Sequence, residues 1–98
     1  MGHYKLTPPA KNDLREIIIY TVETWGKRQA DKYIDILSNC FESLNDKDLL
    51  CQKIFGNVYV VHCEKHYVFF LKENPAKVIA ILHNKMDLME RLKKRLEP

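Results

Sequence analysis

The chain has 98 residues and a formal net charge of +3, with 46% hydrophobic and 30% charged residues. This length supports one domain burying roughly 60–65% of its unfolded surface, and the composition is typical of a globular protein rather than a disordered one. No apolar run approaches the roughly 20 residues that span a membrane, and the N-terminus lacks the apolar region of a signal peptide. We therefore expect a single cytoplasmic domain over residues 1–98.

The first half of the sequence predicts one short strand and two helices. His3–Leu6 is the expected first strand, and Thr7 then provides an N-cap for an amphipathic helix over Pro8–Trp25. Gly26 favours the left-handed conformation that ends a helix. A second amphipathic helix follows over Lys27–Leu44, and the one-residue joint predicts a helical hairpin.

The second half predicts three strands. Leu49–Phe55 shows no clean period, so we expect a loop there, followed by a turn at Gly56. Val58–His62 is the expected second strand. His66–Leu71 and Lys77–Leu82 are apolar runs rich in β-branched and aromatic residues, joined by a polar turn that contains proline, and they predict a β-hairpin.

The last segment, residues 85–98, is basic and predicts a short helix or a tail that becomes helical on docking. Met86, Met89, Leu92 and Leu96 lie on one side at helical spacing. The element order is therefore β-α-α-β-β-β(-α). This order predicts an α+β fold in which the helical hairpin covers one face of an antiparallel sheet.

The unbroken apolar run Val78–Leu82 predicts a second apolar face on the sheet. Because side chains alternate along a strand, Ile79 and Ile81 are expected to point away from Val78, Ala80 and Leu82. The helical hairpin covers one set only, and leaving the other exposed would cost about 1.5–3 kcal/mol per residue. The C-terminal helix, a second copy of the chain or another protein is expected to cover it.

Three cysteines, Cys40, Cys51 and Cys63, are scattered along the chain without a CxxC pair. Disulfides are rare in the cytoplasm, and this odd number does not suggest the framework of a small secreted domain. The sequence therefore predicts three reduced, partly buried thiols.

No cofactor motif is present, and the four histidines lack the spacing of a metal site, so we expect no metal and no cofactor. Cleavage of RNA without a metal is an alternative, since it needs a base, an acid and cations to hold the phosphate. The side chains adequate for that chemistry are His62, Lys65, His66, Tyr67, His83, Lys85 and Arg91. We favour the simpler interpretation, a solvated polar rim of the sheet.

Two segments of the chain resemble ParE-type toxins of the RelE/ParE superfamily. In residues 6–37 the matching positions are Ala10, Asp13, Leu14, Ile17 or Ile18, Tyr20, Trp25, Gly26, Gln29, Ala30 and Tyr33. In residues 66–87 they are His66, Phe69, Phe70, Ile79, Ile81, Leu82, His83, Met86 and Asp87. The resemblance implies the same order of helices and strands, and one arm of a bacterial toxin–antitoxin pair of the plasmid-stabilisation type.

The superfamily has two branches with different targets. ParE-like members block DNA gyrase, whereas RelE-like members cut mRNA in the ribosome with two arginines and a tyrosine in the tail. The corresponding positions here hold Tyr67, Lys85 and Arg91, and the tail has no tyrosine, which favours the ParE branch. Lys85 departs from the usual arginine, and lysine cannot make the same bidentate contact.

The resemblance therefore implies a non-enzymatic toxin that inhibits gyrase, with the A subunit as its target, and that is neutralised by an acidic ParD-like antitoxin. The expected target-binding residues are His83, Lys85, Met86, Asp87 and Arg91. The expected antitoxin-binding residues are Tyr67, Phe69, Ile79, Ile81, Met89 and Leu92. A homodimer or a heterotetramer with the antitoxin is compatible with this interpretation, and neither a membrane nor sequence-specific nucleic-acid binding is expected.

Two alternatives remain open from the sequence. One is a ribosome-dependent endoribonuclease that uses His62, Lys65, His66 and Lys85. The other is an inactive toxin-fold domain that serves only as a binding module.

Overall fold

The computed structural model describes residues 4–46 and 48–83 of the chain. It contains two helices on a five-stranded sheet, and the elements in chain order are β1 (Tyr4–Leu6), α1 (Pro8–Trp25), α2 (Lys27–Glu42), β2 (Gln52–Phe55), β3 (Val58–Cys63), β4 (His66–Leu71) and β5 (Ala76–His83). The predicted α+β class and the helical hairpin are confirmed. The helix expected over Met86–Leu96 lies outside the described residues.

Both ends of α1 form as predicted. The Thr7 hydroxyl accepts a hydrogen bond from the Ala10 N–H, and proline occupies the first turn, where its missing N–H is not needed. The helix ends at Gly26, whose φ of +90° lies in a region that favours glycine. The second helix stops at Glu42, because the Ser43 N–H bonds the Cys40 carbonyl in a tighter turn.

The strand order in the sheet is β1-β5-β4-β3-β2. Strands β2 to β5 pair antiparallel with their neighbours, whereas β1 pairs parallel to β5, with Tyr4 opposite Ala76. The prediction of an antiparallel sheet holds for the four consecutive strands but not for β1. A parallel pair requires a long connection, and the chain between β1 and β5 supplies one that contains both helices.

The expectation of a loop over Leu49–Phe55 is wrong for its second half, where β2 forms. This strand is four residues long, and only Ile54 is even partly buried, so no alternating pattern marks it in the sequence. Pairing with β3 across the turn at Gly56 and Asn57 creates the strand, with a register shift between Lys53 and Phe55.

Side chains on the two faces of the sheet form two separate apolar clusters. The larger, which we call the helix-side core, lies between the sheet and both helices, and its members are Ala10, Ile17, Leu37, Phe41, Leu44, Val61, Cys63, Val68, Phe70, Ala76, Val78 and Ile81. The smaller, which we call the back-face cluster, consists of Val58, Phe69, Ile79, Ala80 and Leu82. Within the described ranges every member of this second cluster belongs to the sheet.

A bulge in β5 alters the predicted alternation of side chains. Phe69 pairs with Ala80 and Phe70 pairs with Val78, so Ile79 is one extra residue opposite their junction. As a result Ile79 shares the back face with Ala80, whereas Ile81 belongs to the helix-side core. The prediction that Ile79 and Ile81 lie on the same face is therefore wrong.

The predicted apolar back face exists, and it is not bare in the single chain, so no second polypeptide is needed to bury it. On this face Phe69 is 1% exposed and Ile79 7%, and Ile81, on the helix side, is 3% exposed. Of the described residues expected to bind an antitoxin, Tyr67 alone retains substantial exposure. An apolar surface of this size rarely stays open in a folded chain, because its burial is favourable.

The structure joins Cys40 and Cys63 in a disulfide, with their Cα atoms 6.5 Å apart, and leaves Cys51 as a free thiol. The expectation of three reduced thiols is therefore wrong for this pair. Helical periodicity directs Cys40 of α2 onto the sheet, and strand alternation directs Cys63 of β3 toward the helices, so the two meet inside the helix-side core. The two cysteines are 23 residues apart in the sequence, so the sequence alone does not indicate that they are close together.

We expect peptide mapping under non-reducing conditions to recover Cys40 linked to Cys63 and Cys51 as a free thiol. A cross-link across a sequence separation of 23 residues restricts the unfolded chain and contributes roughly 3 kcal/mol, which reduction should remove. Urea unfolding with and without dithiothreitol measures this difference, and Cys51→Ser is the matched control that should keep it. Three alkylatable thiols in the oxidised protein would contradict the assignment.

Two polar side chains at the start of α1 link the helix to β5. Thr7 donates from both its backbone N–H and its hydroxyl to the Val78 carbonyl, at 3.0 and 3.1 Å. The Asp13 carboxylate accepts a hydrogen bond from the Ile81 N–H at 3.0 Å. Strand β1 ends its pairing at Val78, so these side chains take over as partners of β5 where β1 stops.

We expect Asp13→Ala to lower the free energy of unfolding by about 1.5–3 kcal/mol, the range for a hydrogen bond to a charged group. The Ile81 N–H would lose its carboxylate acceptor in a partly buried position. Urea denaturation measures the loss, and Asn12→Ala, at an exposed neighbouring position on the same helix, is the control. Equal stability of the two variants would show that the contact contributes nothing.

Candidate functional site

A polar cluster occupies the edge of the sheet where β4 begins and β5 ends. His66 opens β4 and pairs with His83, the last residue of β5. Their rings are perpendicular, with centroids 5.3 Å apart. His83, one of the expected target-binding residues, thus lies at the end of β5. The neighbouring Lys85, Met86, Asp87 and Arg91 lie outside the described residues.

Tyr33 of α2 extends into this cluster and ties it to the helix. Its hydroxyl accepts a hydrogen bond from the Lys65 backbone N–H at 3.2 Å and lies 2.5 Å from Nδ1 of His66. Burial raises the pKa of the Tyr33 hydroxyl, the Lys65 N–H opposes that rise, and the charge of Glu64 adds to it. The hydroxyl therefore stays protonated at neutral pH.

His66 is held in its neutral form. Burial lowers the pKa of its imidazole to about 4, and the nearby charges of His83 and Lys65 act in the same direction. An imidazole with so low a pKa is almost entirely unprotonated at pH 7. His66 can therefore accept or donate hydrogen bonds there, but it is a poor general acid.

Trp25 extends the cluster toward the joint between the helices. The side chain is 61% exposed, and the Lys65 ammonium lies 5.5 Å from its ring centroid, within range of a cation–π contact. Sequence reasoning missed Trp25 and Tyr33 as members of the site, because helical spacing assigned both to the apolar stripe. The polar atoms on these rings are the only sequence signal that could have distinguished them from core residues.

His62 lies on the other face of the sheet, away from this cluster. Its ring stacks on that of Tyr67, with centroids 4.4 Å apart and the planes 11° from parallel. His66 pairs with Cys63 and faces the helices, so alternation places His62 on the back face. Of the four residues expected for a nuclease, Lys65 and His66 are adjacent, His62 is on the opposite face, and Lys85 lies outside the described residues.

The stacked pair of His62 and Tyr67 forms part of the wall of an open cavity of about 280 Å³ between β2, β3 and β4. The lining residues are Leu50, Cys51, Gln52, Val60, Val61, His62 and Tyr67. The cavity is mostly apolar, and it is suited to a side chain of a protein partner rather than to a charged substrate.

Across residues 4–46 and 48–83, no three histidine, cysteine or acidic side chains are placed to hold a metal ion. Neither helix of the described chain is long and apolar enough to cross a membrane.

Comparison with known proteins agrees with the fold and the motifs. A solved structure described as "Chromosomal ParDE TA system from P. aeruginosa" matches with a TM-score of 0.70 over 85% of this chain and 96% of that one, and at 18% identity it shows a shared fold. A family model described as "ParE toxin of type II toxin-antitoxin system, parDE" matches residues 4–88. The curated "Toxin ParE" of Escherichia coli is 42% identical over 104 aligned residues, covering 99% of each chain.

The fold is thus that of a chain in a toxin–antitoxin structure. The chain belongs to the ParE toxin family of type II toxin–antitoxin systems. The resemblance seen in the two motif segments of the sequence is confirmed.

The low pKa of His66 predicts a pH-dependent stability. An unfolded histidine has a pKa near 6.5. Between about pH 6.5 and 4, residue 66 is therefore protonated in the unfolded chain but stays neutral in the folded chain. Stability is therefore full above about pH 6.5 and declines as the pH falls toward 4. Urea unfolding at pH 7 and pH 5 should show a smaller loss for His66→Gln than for the wild type.

The control for that measurement is His62→Gln, because His62 is exposed. Between pH 7 and pH 5 this variant should lose as much stability as the wild type. A wild type whose stability is the same at both pH values would contradict the burial of a neutral His66.

Proposed function

We propose that this ParE toxin inhibits DNA gyrase by binding to it, without catalysis, and that a cognate antitoxin neutralises it. The non-enzymatic part is supported by the separation of His62 from His66 on opposite faces of the sheet, which leaves His66 beside His83 and Lys65 but without His62. A metal-free nuclease needs an acid and a base converging on one phosphate. His66, kept neutral by its low pKa, is not suited to the acid's role.

The target-binding surface is proposed to centre on the polar cluster at the end of β5. His83 and Lys65 provide hydrogen-bonding and charged groups there, and Trp25 adds an exposed aromatic ring. Aromatic residues are enriched among the side chains that dominate protein interfaces. Lys85, Met86, Asp87 and Arg91 lie two to eight residues after His83 in the sequence and are proposed to extend this surface.

The antitoxin is proposed to be an acidic ParD-like protein. The solved relative is described as a ParDE system, which supports a partner of this kind, and the net charge of +3 favours an acidic one. Because Phe69, Ile79 and Ile81 are already buried, accessible contacts on the back face centre on Tyr67 and the cavity beside it. Met89 and Leu92 remain proposed antitoxin contacts.

Exposed apolar side chains on α1 offer the antitoxin a second surface. Ile19, Val22 and Trp25 are each at least 40% exposed, and their positions place them on the outer side of the helix. An antitoxin that contacts both this helix and the back face would wrap around the domain. The resulting assembly would be a heterodimer or a heterotetramer.

A supercoiling assay with purified gyrase tests the proposed target. We expect inhibition at a toxin concentration comparable to that of the enzyme, and its relief by the antitoxin. Lys85→Ala should weaken inhibition because it removes a cation two residues after His83 in the sequence, while its unfolding curve stays that of the wild type. The matched control is Lys77→Ala, at the other end of β5, which should inhibit normally.

Full supercoiling activity at stoichiometric toxin would refute the gyrase assignment. Expression in bacteria then distinguishes the alternatives, since cleaved transcripts and rapid loss of translation would indicate the endoribonuclease. Normal growth together with a stable antitoxin complex would indicate the inactive binding module.

A further inference from the structure

The hydrogen bond between Tyr33 and His66 connects the helical hairpin to the polar cluster at the end of β5. Tyr33 lies on the face of α2 that packs on the sheet, and its ring is tilted against that of His66, with centroids 5.5 Å apart. Neither Tyr33 nor His66 is among the proposed target-binding residues. Their contact lies beside one of them, because the His66 ring is next to that of His83.

The contacts of the Tyr33 hydroxyl indicate where the protons are. Its oxygen already accepts from the Lys65 N–H, and its own proton needs an acceptor in a half-buried position. The His66 Nδ1, at 2.5 Å, can serve as that acceptor when the ring is neutral. Burial favours the neutral ring, so both features point to the same arrangement.

We propose that Tyr33 donates its hydroxyl proton to Nδ1 of His66, fixing His66 as the neutral Nε2–H tautomer, and that this fixed ring positions His83 for contact with the target. The second half of this proposal rests on the proposed function. Tyr33 and His66 are then positioning residues that act through His83, whose ring stands perpendicular to that of His66.

Within residues 4–46 and 48–83, the titratable and charged groups facing His66 come from three parts of the fold. They are Tyr33 from α2, Lys65 from the turn before β4 and His83 from β5, with Glu64 close to Tyr33. The positive charges of Lys65 and His83 both oppose the addition of a second proton to the His66 ring. The tautomer should therefore persist over the whole physiological pH range.

Long-range proton–nitrogen NMR of the histidine rings tests the tautomer directly at pH 7. In the wild type, Nδ1 of His66 should be unprotonated and Nε2 protonated, in one tautomer. Tyr33→Phe keeps the aromatic ring but removes the hydroxyl. In this variant His66 should become a mixture of its Nε2–H and Nδ1–H tautomers. The control is Tyr20→Phe on α1, where the residue is 66% exposed.

The target contact is tested with the same two variants. Tyr33→Phe should weaken gyrase inhibition by about 3- to 10-fold, the range expected from loss of one hydrogen bond, while Tyr20→Phe should not. Circular dichroism and urea unfolding check that both variants fold. Growth arrest after induction gives the same comparison without assuming which enzyme is the target.

The two parts of the proposal fail separately. An Nδ1–H tautomer in the wild type, or an unchanged tautomer in Tyr33→Phe, overturns the role of Tyr33. Wild-type potency of Tyr33→Phe, both on gyrase and in growth arrest, overturns the positioning of His83. A wild type that arrests growth without inhibiting gyrase refutes the proposed target alone, because the tautomer and the growth comparison still decide the rest.

Discussion

The attachment of α1 to the free side of β5 is the constraint on which the rest of the structure depends. Strand β1 covers only the first part of β5, and beyond Val78 that side of β5 needs other hydrogen-bond partners. Thr7 and Asp13 supply them from the first turns of the helix. Their bonds fix the height of α1 above the sheet, and the one-residue joint at Gly26 then determines where α2 lies. The position of Tyr33 over His66 follows from that arrangement.

The candidate site is therefore built by the hairpin and the sheet together. Strands β4 and β5 bring His66 and His83 side by side, but α2 contributes the hydroxyl that contacts His66, and the end of α1 contributes Trp25. Burial at this junction keeps the imidazole neutral. The cluster combines a neutral imidazole, a hydroxyl and an ammonium group, which is the basis for proposing that the toxin acts by binding.

Much of the fold could be predicted from the sequence because local signals agree with the final structure. Proline, threonine and glycine mark the ends of α1, and the apolar runs mark β4 and β5. The errors arise where tertiary contacts decide. Pairing with β3 creates β2 from residues without a period, and one extra residue in β5 moves Ile81 to the helix side. The Cys40–Cys63 contact and the Tyr33–His66 hydrogen bond join residues far apart in sequence, so neither could be predicted without the fold.

Trp25 is the single tryptophan of the chain, and it stands at the margin of the candidate site with the Lys65 ammonium over its ring. Indole emission responds to nearby charge and to the entry or departure of water. The molecule thus carries an intrinsic optical reporter beside the groups through which it is proposed to act. A partner that covers Trp25 would change the wavelength and intensity of its fluorescence, so binding could be followed without an attached label.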